Sequence, residues 1–412
     1  MIKKMVVCVL TYNRPEAIKV FIDKEIEILN RNQVDLIVYD SSEDEETEEI
    51  VHSFINRGYT NLLYKRVDSI MKSNEKFYYV AANIDKKYEY VWITHDHTIF
   101  NKESLEFIIK NLSDKPDFIY LKTQSDDFNI IQESDLNSFF VKSVWQLGRF
   151  GAAILRQDSF LKQAKWDSLV GKYLTESKIN FSHIGLYFQV LSEMDNPKII
   201  TLEFPREFFY DTFRFNKLSW ESESIRICLG CWGEVISALP KIYTDKKEAL
   251  ESIDKYFISK YNLINLKKNK KYNIVLFLKY YKWIKVIVPE MRTCCFVIAL
   301  IPSFFSNYIY YGRVFKAIRK AQKMRYRVCI YGAGRHGVEI LNYIQNNGIN
   351  VDAVLVTDKK GNPETINDIP IYQSEDYLKK NRTFIVIAVS KNLQPGIIEY
   401  ISRFNWIKYL CF

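Results

Sequence analysis

The run Met5-Val6-Val7-Cys8-Val9-Leu10, passing without a break into Thr11-Tyr12-Asn13-Arg14-Pro15, decides how this chain is read. Six consecutive apolar residues suit a strand covered on both faces of a parallel sheet, since a strand with one wet face would alternate. Pro15 then stands in the first turn of a helix, where its missing N–H costs nothing, ahead of a helical pattern that reaches about residue 29. The same strand-to-helix pattern recurs. Apolar runs at 36–39, 90–94 and 118–122 and a weaker one at 61–66 alternate with helical patterns at 43–55 and 70–84, the first with Ser41 or Ser42 as its expected cap. That alternation predicts an α/β fold whose ligands sit beyond the C-terminal strand ends.

Three polar sequences fall at those ends: Thr11-Tyr12-Asn13-Arg14, Asp40-Ser41-Ser42, and His95-Asp96-His97 after Trp92-Ile93-Thr94. With these residues in place, the first 240 residues or so resemble family 2 glycosyltransferases of the GT-A fold. The resemblance implies a nucleotide diphosphate sugar donor held by Thr11, Tyr12, Asn13, Arg14, Asp40 and Asp96, with Asp68 as a further nucleotide contact. By themselves, Asp40 and Asp68 serve equally well as helix caps. Asp96 matches the first acid of the family's Asp-x-Asp metal motif, but His97 and Thr98 follow, so the second carboxylate is missing. A divalent metal, Mn²⁺ or Mg²⁺, held by Asp96 and His97 is the implied cofactor, and imidazole suits Mn²⁺ better. The alternative is a pair of histidines that only hydrogen-bond locally.

Inverting transfer needs a base for the acceptor hydroxyl. The family places one at a helix start some ninety residues past the metal motif, and His183 occupies that position here, with Glu176, Glu193 and Asp195 as rivals. Its other reading is a helix cap. The stretch from Phe150 and Gly151 to Arg156 resembles the acceptor-side strand, with Trp145, Arg149, Trp220 and Trp232 as candidates to meet sugar rings and core packing as the alternative.

The chain has 412 residues, 48% hydrophobic and 26% charged, which excludes wholesale disorder and allows two or three domains. Its net charge of +9 is unevenly placed: residues 260–327 hold 16 Lys and Arg against one acid, Glu290, and the remainder is net acidic. No general nucleic-acid-binding surface is therefore expected. The basic stretch is rich in Tyr, Trp and Phe, and residues 294–311 carry no charge but are interrupted by Pro302, Ser303, Ser306 and Asn307. Interfacial helices on an anionic membrane, with Trp283 at headgroup depth, account for this mixture better than a span does, and a soluble helical connector is the other reading. Seven cysteines without framework spacing predict free, buried thiols and a reducing, intracellular compartment, and the short apolar start is no signal peptide.

From Tyr326 a second α/β pattern begins, in which Tyr331-Gly332-Ala333-Gly334-Arg335-His336-Gly337 joins a strand to a helix. Backbone N–H groups in such a turn can receive a phosphate, and Asp358 closes the next strand where a ribose-binding acid is expected. This part resembles the nucleotide-binding half-domains of sugar-modifying enzymes. Gly332, Gly334, Gly337 and Asp358 are its candidate nucleotide residues, with tight strand–helix packing as the other reading of the glycines and NAD unlikely in a half fold.

The expected architecture is thus a GT-A nucleotide-sugar-binding domain (1–255), a basic, membrane-associated helical segment (256–325) and a small Rossmann-like domain (326–412). The expected activity is transfer of a sugar to a growing, lipid-linked bacterial surface glycan at the cytoplasmic face of the cell membrane. The alternatives are an NAD- or nucleotide-sugar-binding sugar-modifying enzyme, and an inactive nucleotide-sugar sensor or assembly partner.

Overall fold

The computed structural model describes residues 3–96, 98–125, 127–205, 209–211, 221–360, 362–389 and 393–411. The chain divides into two compact units, Met1–Ser259 with Ile274–Phe296, and Lys260–Asn273 with Val297–Phe412. The basic stretch read as one segment is therefore shared between them.

In the first unit, strands β1 (Lys3–Thr11), β2 (Asp35–Asp40), β3 (Leu62–Arg66), β4 (Tyr88–His95), β5 (Thr98–Phe100), β6 (Phe118–Ser125), β7 (Asn129–Glu133), β8 (Ala153–Arg156), β9 (Ile199–Pro205) and β10 (Phe209–Asp211) follow one another. Eight of them form one sheet in the order β3-β2-β1-β4-β8-β6-β9-β7, while β5 pairs with β10. β1 runs parallel to both β2 and β4, and β8 lies antiparallel between β4 and β6. The order thus reverses at β1, the switch point at which a sheet of this kind takes its ligands, beyond the C-terminal ends of β1 and β4.

Helices α1 (Pro15–Arg31), α2 (Glu46–Ile55), α3 (Ser73–Asn83), α4 (Lys102–Asn111), α5 (Leu136–Leu147), α6 (Trp166–Tyr173), α7 (Ser182–Glu193), α8 (Trp232–Ala238) and α9 (Lys246–Glu251) belong to the first unit. Met5, Val7 and Val9 of β1 share a core with Ile18, Phe21, Ile22 and Leu29 of α1, which is why the continuous apolar run and the 3.6-residue stripe could be read together. The cap expected for α2 is a correction. The helix starts at Glu46 with no side-chain cap, because Ser42 turns back on Asp40, and Ser41 is taken by Lys76.

The basic stretch forms α10 (Lys260–Lys268), α11 (Ile274–Ile287), α12 (Arg292–Leu300) and α13 (Ser303–Lys323). No helix among the described residues is long and apolar enough to cross a membrane. Trp283 is not at a headgroup surface: it is buried in the first unit, its indole against Gly233, where an added Cβ would stand 2.3 Å from the ring. Tyr280 covers Gly230 in the same way. Without side chains at Gly230 and Gly233, the aromatic face of α11 sits directly on the backbone. In the second unit, Tyr311, Val314 and Ile318 of α13 enter the core of the C-terminal sheet.

That sheet comprises β11 (Arg327–Tyr331), β12 (Ala353–Val356), β13 (Thr365–Ile366), β14 (Ile369–Gln373), β15 (Thr383–Ile387) and β16 (Lys408–Cys411) in the order β13-β14-β12-β11-β15-β16. Five strands, from β14 to β16, are parallel. With α14 (Arg335–Asn346), α15 (Ser374–Leu378) and α16 (Gln394–Ile401), strands wind to both sides of β11, more than the half fold the sequence suggested. All seven cysteines are free. Cys228 and Cys231 are buried, burial raises both thiols, and no three His, Cys, Asp or Glu among the described residues could hold a metal there.

Candidate functional site: a charged crevice at the β1–β4 switch point

β1 ends at Thr11 and β4 at His95, in adjacent positions of the sheet, so Thr11 and Asp96 meet by register. The Thr11 hydroxyl donates to Asp96 Oδ2 at 2.7 Å, and Arg14 Nη1 reaches Oδ1 at 3.3 Å. Asp96 is 1% exposed, whereas Arg14 is half open to solvent and Tyr12 more so. Asn13 turns the chain with φ 49°, a left-handed position that asparagine tolerates, and its N–H donates to Ser42 Oγ at 2.8 Å. The Thr-Tyr-Asn-Arg turn is thereby pinned to the loop after β2.

Asp40 lies at the expected strand end but is fully buried, and its own chain already occupies it. Oδ1 accepts from Ser42 N at 2.8 Å and Ser42 Oγ at 2.5 Å, and Oδ2 from the Tyr64 hydroxyl at 2.9 Å. As arranged, its carboxylate shapes the crevice wall rather than presenting a free acceptor. Asp68 is exposed and accepts from Ile70 N at 3.0 Å, a local turn.

Lys76 of α3 was missed by sequence reasoning. It is 2% exposed, and its ammonium donates to the Thr11 carbonyl at 2.6 Å and to Ser41 Oγ at 2.7 Å. Burial pushes its pKa down to about 8, against the pull of the Asp40 and Asp96 carboxylates. Two buried carboxylates therefore stand with one buried ammonium and one half-exposed guanidinium. Of these charged groups, the Arg14 guanidinium is the one that faces solvent, at the mouth.

Of the expected metal pair Asp96 and His97, the described residues include Asp96 alone. Asp96 is one carboxylate with both oxygens engaged, no cluster of three metal-ligating side chains is present among the described residues, and a divalent ion of this kind takes about six oxygen ligands. His97 lies outside the described residues, as does Trp220.

His183 is corrected from base to packing residue. It is 1% exposed at the start of α7, with Nδ1 3.2 Å from Asn74 Oδ1 and Nε2 3.1 Å from the Gly148 carbonyl. Burial among Phe77, Phe150 and Tyr187 lowers its pKa to about 3, the Gly148 carbonyl acting against this. An imidazole so placed joins α3 to α7 and has no means of receiving a proton from a bound hydroxyl at neutral pH. Trp232 is likewise core, edge-on to Trp145 at 5.2 Å with its N–H donated to the Leu250 carbonyl. Gly151 has φ +82°, and a Cβ there would meet Thr94 Oγ1 at 2.4 Å, so this glycine lets the turn before β8 close on the end of β4.

In the second unit the three glycines have different reasons. Gly332 has φ +115° and faces Ala388 and Val389, and a Cβ on Gly337 would fall 1.8 Å from the Gly332 carbonyl oxygen. Gly334, at the start of α14, has nothing within 4 Å. The outer two close the turn and bring helix to strand, and the middle one leaves open backbone at the helix N-terminus. Asp358 follows β12, exposed, accepting from Lys360 N at 2.9 Å.

No family model matches the chain, and no curated protein matches it. Solved structures similar to it include Staphylococcus aureus TarS residues 1–349, at 16% identity, TM-score 0.40, covering 79% of this chain and 92% of that one. The same protein in complex with UDP gives TM-score 0.44 at 15% identity and the same coverage. A mannosyltransferase from Pyrobaculum calidifontis in complex with GDP-Man and Mn²⁺ gives 0.41 at 12% identity, covering 74% of this chain and 88% of that one.

Proposed function

We propose that the chain is a glycosyltransferase that binds a nucleotide diphosphate sugar at the β1–β4 switch point. One observation carries this reading: Thr11, Arg14, Lys76 and Asp96, from three separate elements, converge on the crevice where a doubly wound sheet takes its ligands. In the transfer, an acceptor oxygen forms its bond to the anomeric carbon while the bond to the diphosphate breaks, and negative charge grows on the leaving nucleoside diphosphate. Arg14, half exposed at the mouth, moves from Asp96 to that charge, and Lys76 beneath it adds a fixed positive potential. Asp96 holds Thr11 and so the edge of the site. The proton of the acceptor hydroxyl passes to solvent or to a base other than His183, whose ring is sealed in the core.

The finer reading follows the resemblance: an inverting transfer to a lipid-linked surface glycan of capsule, O-antigen or teichoic-acid type, at the cytoplasmic face of the membrane. The uneven charge of the chain supports that location. A second nucleotide site at Gly332, Gly334 and Gly337 is favoured by the open backbone at Gly334.

The test is donor hydrolysis and thermal shift with UDP-, GDP- and CDP-sugars, in EDTA and in Mn²⁺, for wild type, Asp96→Ala and Gly334→Val. One donor should stabilise and be hydrolysed, with hydrolysis falling about 100-fold in Asp96→Ala, the scale of losing one preorganised group, and surviving in Gly334→Val. Binding that survives Asp96→Ala and disappears in Gly334→Val moves the ligand to the second unit and overturns the reading. Binding without hydrolysis favours a nucleotide-sugar sensor.

A further inference from the structure

α11 has two faces of opposite character. Phe277, Tyr280, Trp283, Ile284 and Ile287 are buried in the first unit, fixed by the close approach to Gly230 and Gly233. The outward face carries Val275 at 69% exposure and Leu278 at 64%, interleaved with Lys279, Lys282 and Lys285, and no acid occurs in the helix. Lys282 is paired with Glu234 at 2.7 Å. Lys279 and Lys285 have no carboxylate partner among the described residues. Phe296, packed on Phe277 at a ring distance of 5.4 Å and itself exposed, adds a further apolar group beside the helix.

We propose that this outward face of α11 is a docking surface for an anionic lipid bilayer. The argument is charge complementarity with a particular geometry. Apolar side chains project from the helix between lysines. A helix of 14 residues is about 21 Å long, so it lies in a headgroup plane with Val275 and Leu278 dipping toward the acyl boundary and the lysines at the phosphates. Its rigid attachment to the unit through Trp283 means that docking does not require the helix to fold on the membrane. The inference rests on the membrane location proposed above, to which it gives a named face, and stands or falls apart from the donor chemistry.

The experiment is flotation of the full chain with phosphatidylcholine vesicles, with and without phosphatidylglycerol, at low and high salt. Binding is expected only with phosphatidylglycerol and is released by salt. Removing two lysines, as in Lys279→Ala with Lys285→Ala, should lower the partition roughly 30-fold at low salt, since each contributes about 1 kcal/mol. Val275→Ser with Leu278→Ser should also lower it, while Lys19→Ala with Lys110→Ala, exposed lysines elsewhere, should not. Because all these side chains are exposed, unchanged melting temperatures certify the variants. Equal binding to neutral and anionic vesicles, equal partition of the Lys279/Lys285 variant, or retention on polyglutamate without vesicle binding would each overturn the proposal. Donor hydrolysis measured without vesicles should be untouched in every variant.

Discussion

Lys76 is held by groups 65 and 35 residues away, the Thr11 carbonyl and Ser41 Oγ, so its burial has no signature in the residues around it. With a folded pKa of about 8 against 10.5 for the free side chain, the unfolded chain binds more protons between those values. Stability attributable to this group therefore rises with pH across that window, by roughly 2–3 kcal/mol, as the cost of burying the ammonium is relieved. Thermal denaturation of wild type and Lys76→Met at pH 7.5 and 10 should show the wild type gaining on the variant. A difference that stays flat would mean that the ammonium is not buried as described. The same distance in sequence explains His183: its position at a helix start was legible, whereas Asn74 and Gly148, whose oxygens stand against the two ring nitrogens, were not. The positions of Thr11, Arg14 and Asp96 at or just beyond strand ends were legible because such ends can be located from apolar runs alone; their roles came from the resemblance.

Among elements, the short strand β5 shows how a local sequence is held by a distant one. It follows the Asp96 turn directly, and its Phe100 N–H donates to Glu25 Oε1 of α1 at 3.2 Å. Glu25 is fully buried, and burial pushes its pKa up to about 8, with the Phe100 N–H acting against this. The carboxyl is thus protonated in the fold at neutral pH, while the unfolded chain ionises near 4.5. Stability contributed by the proton is complete below 4.5 and lost as pH rises through 8. Glu25→Gln keeps the acceptor for Phe100 and removes the ionisation. Between pH 5 and 8.5 the wild type should lose roughly 4 kcal/mol more than the variant, read from denaturant midpoints at both pH values, and parallel curves would refute the assignment. Elements whose apolar runs are continuous were placed within three residues at each end. The start of α2 was not, since a serine before a helix can cap it or, as Ser42 does, close a turn on the preceding aspartate.

Across the whole molecule, each unit has a core of its own, one built on β1 and α1 and the other on α13, β11 and α14. A lesion confined to the second should therefore leave the donor crevice intact. Gly337 and Gly334 provide a matched pair three residues apart. A methyl at Gly337 would fall 1.8 Å from the Gly332 carbonyl oxygen, a backbone atom that cannot swing away, whereas one at Gly334 meets nothing within 4 Å. Gly337→Ala should lower the transition of the C-terminal unit in calorimetry by several degrees, on the scale of about 2 kcal/mol for overpacking, and Gly334→Ala should leave it unchanged. Both should hydrolyse the donor at the wild-type rate, because Thr11, Arg14, Lys76 and Asp96 all belong to the first unit. If Gly337→Ala instead abolished hydrolysis as completely as Asp96→Ala, the C-terminal sheet would have to contribute to the reacting site itself. The chain would then be one enzyme built from two α/β units, and Gly334→Val would have to be read as an active-site variant.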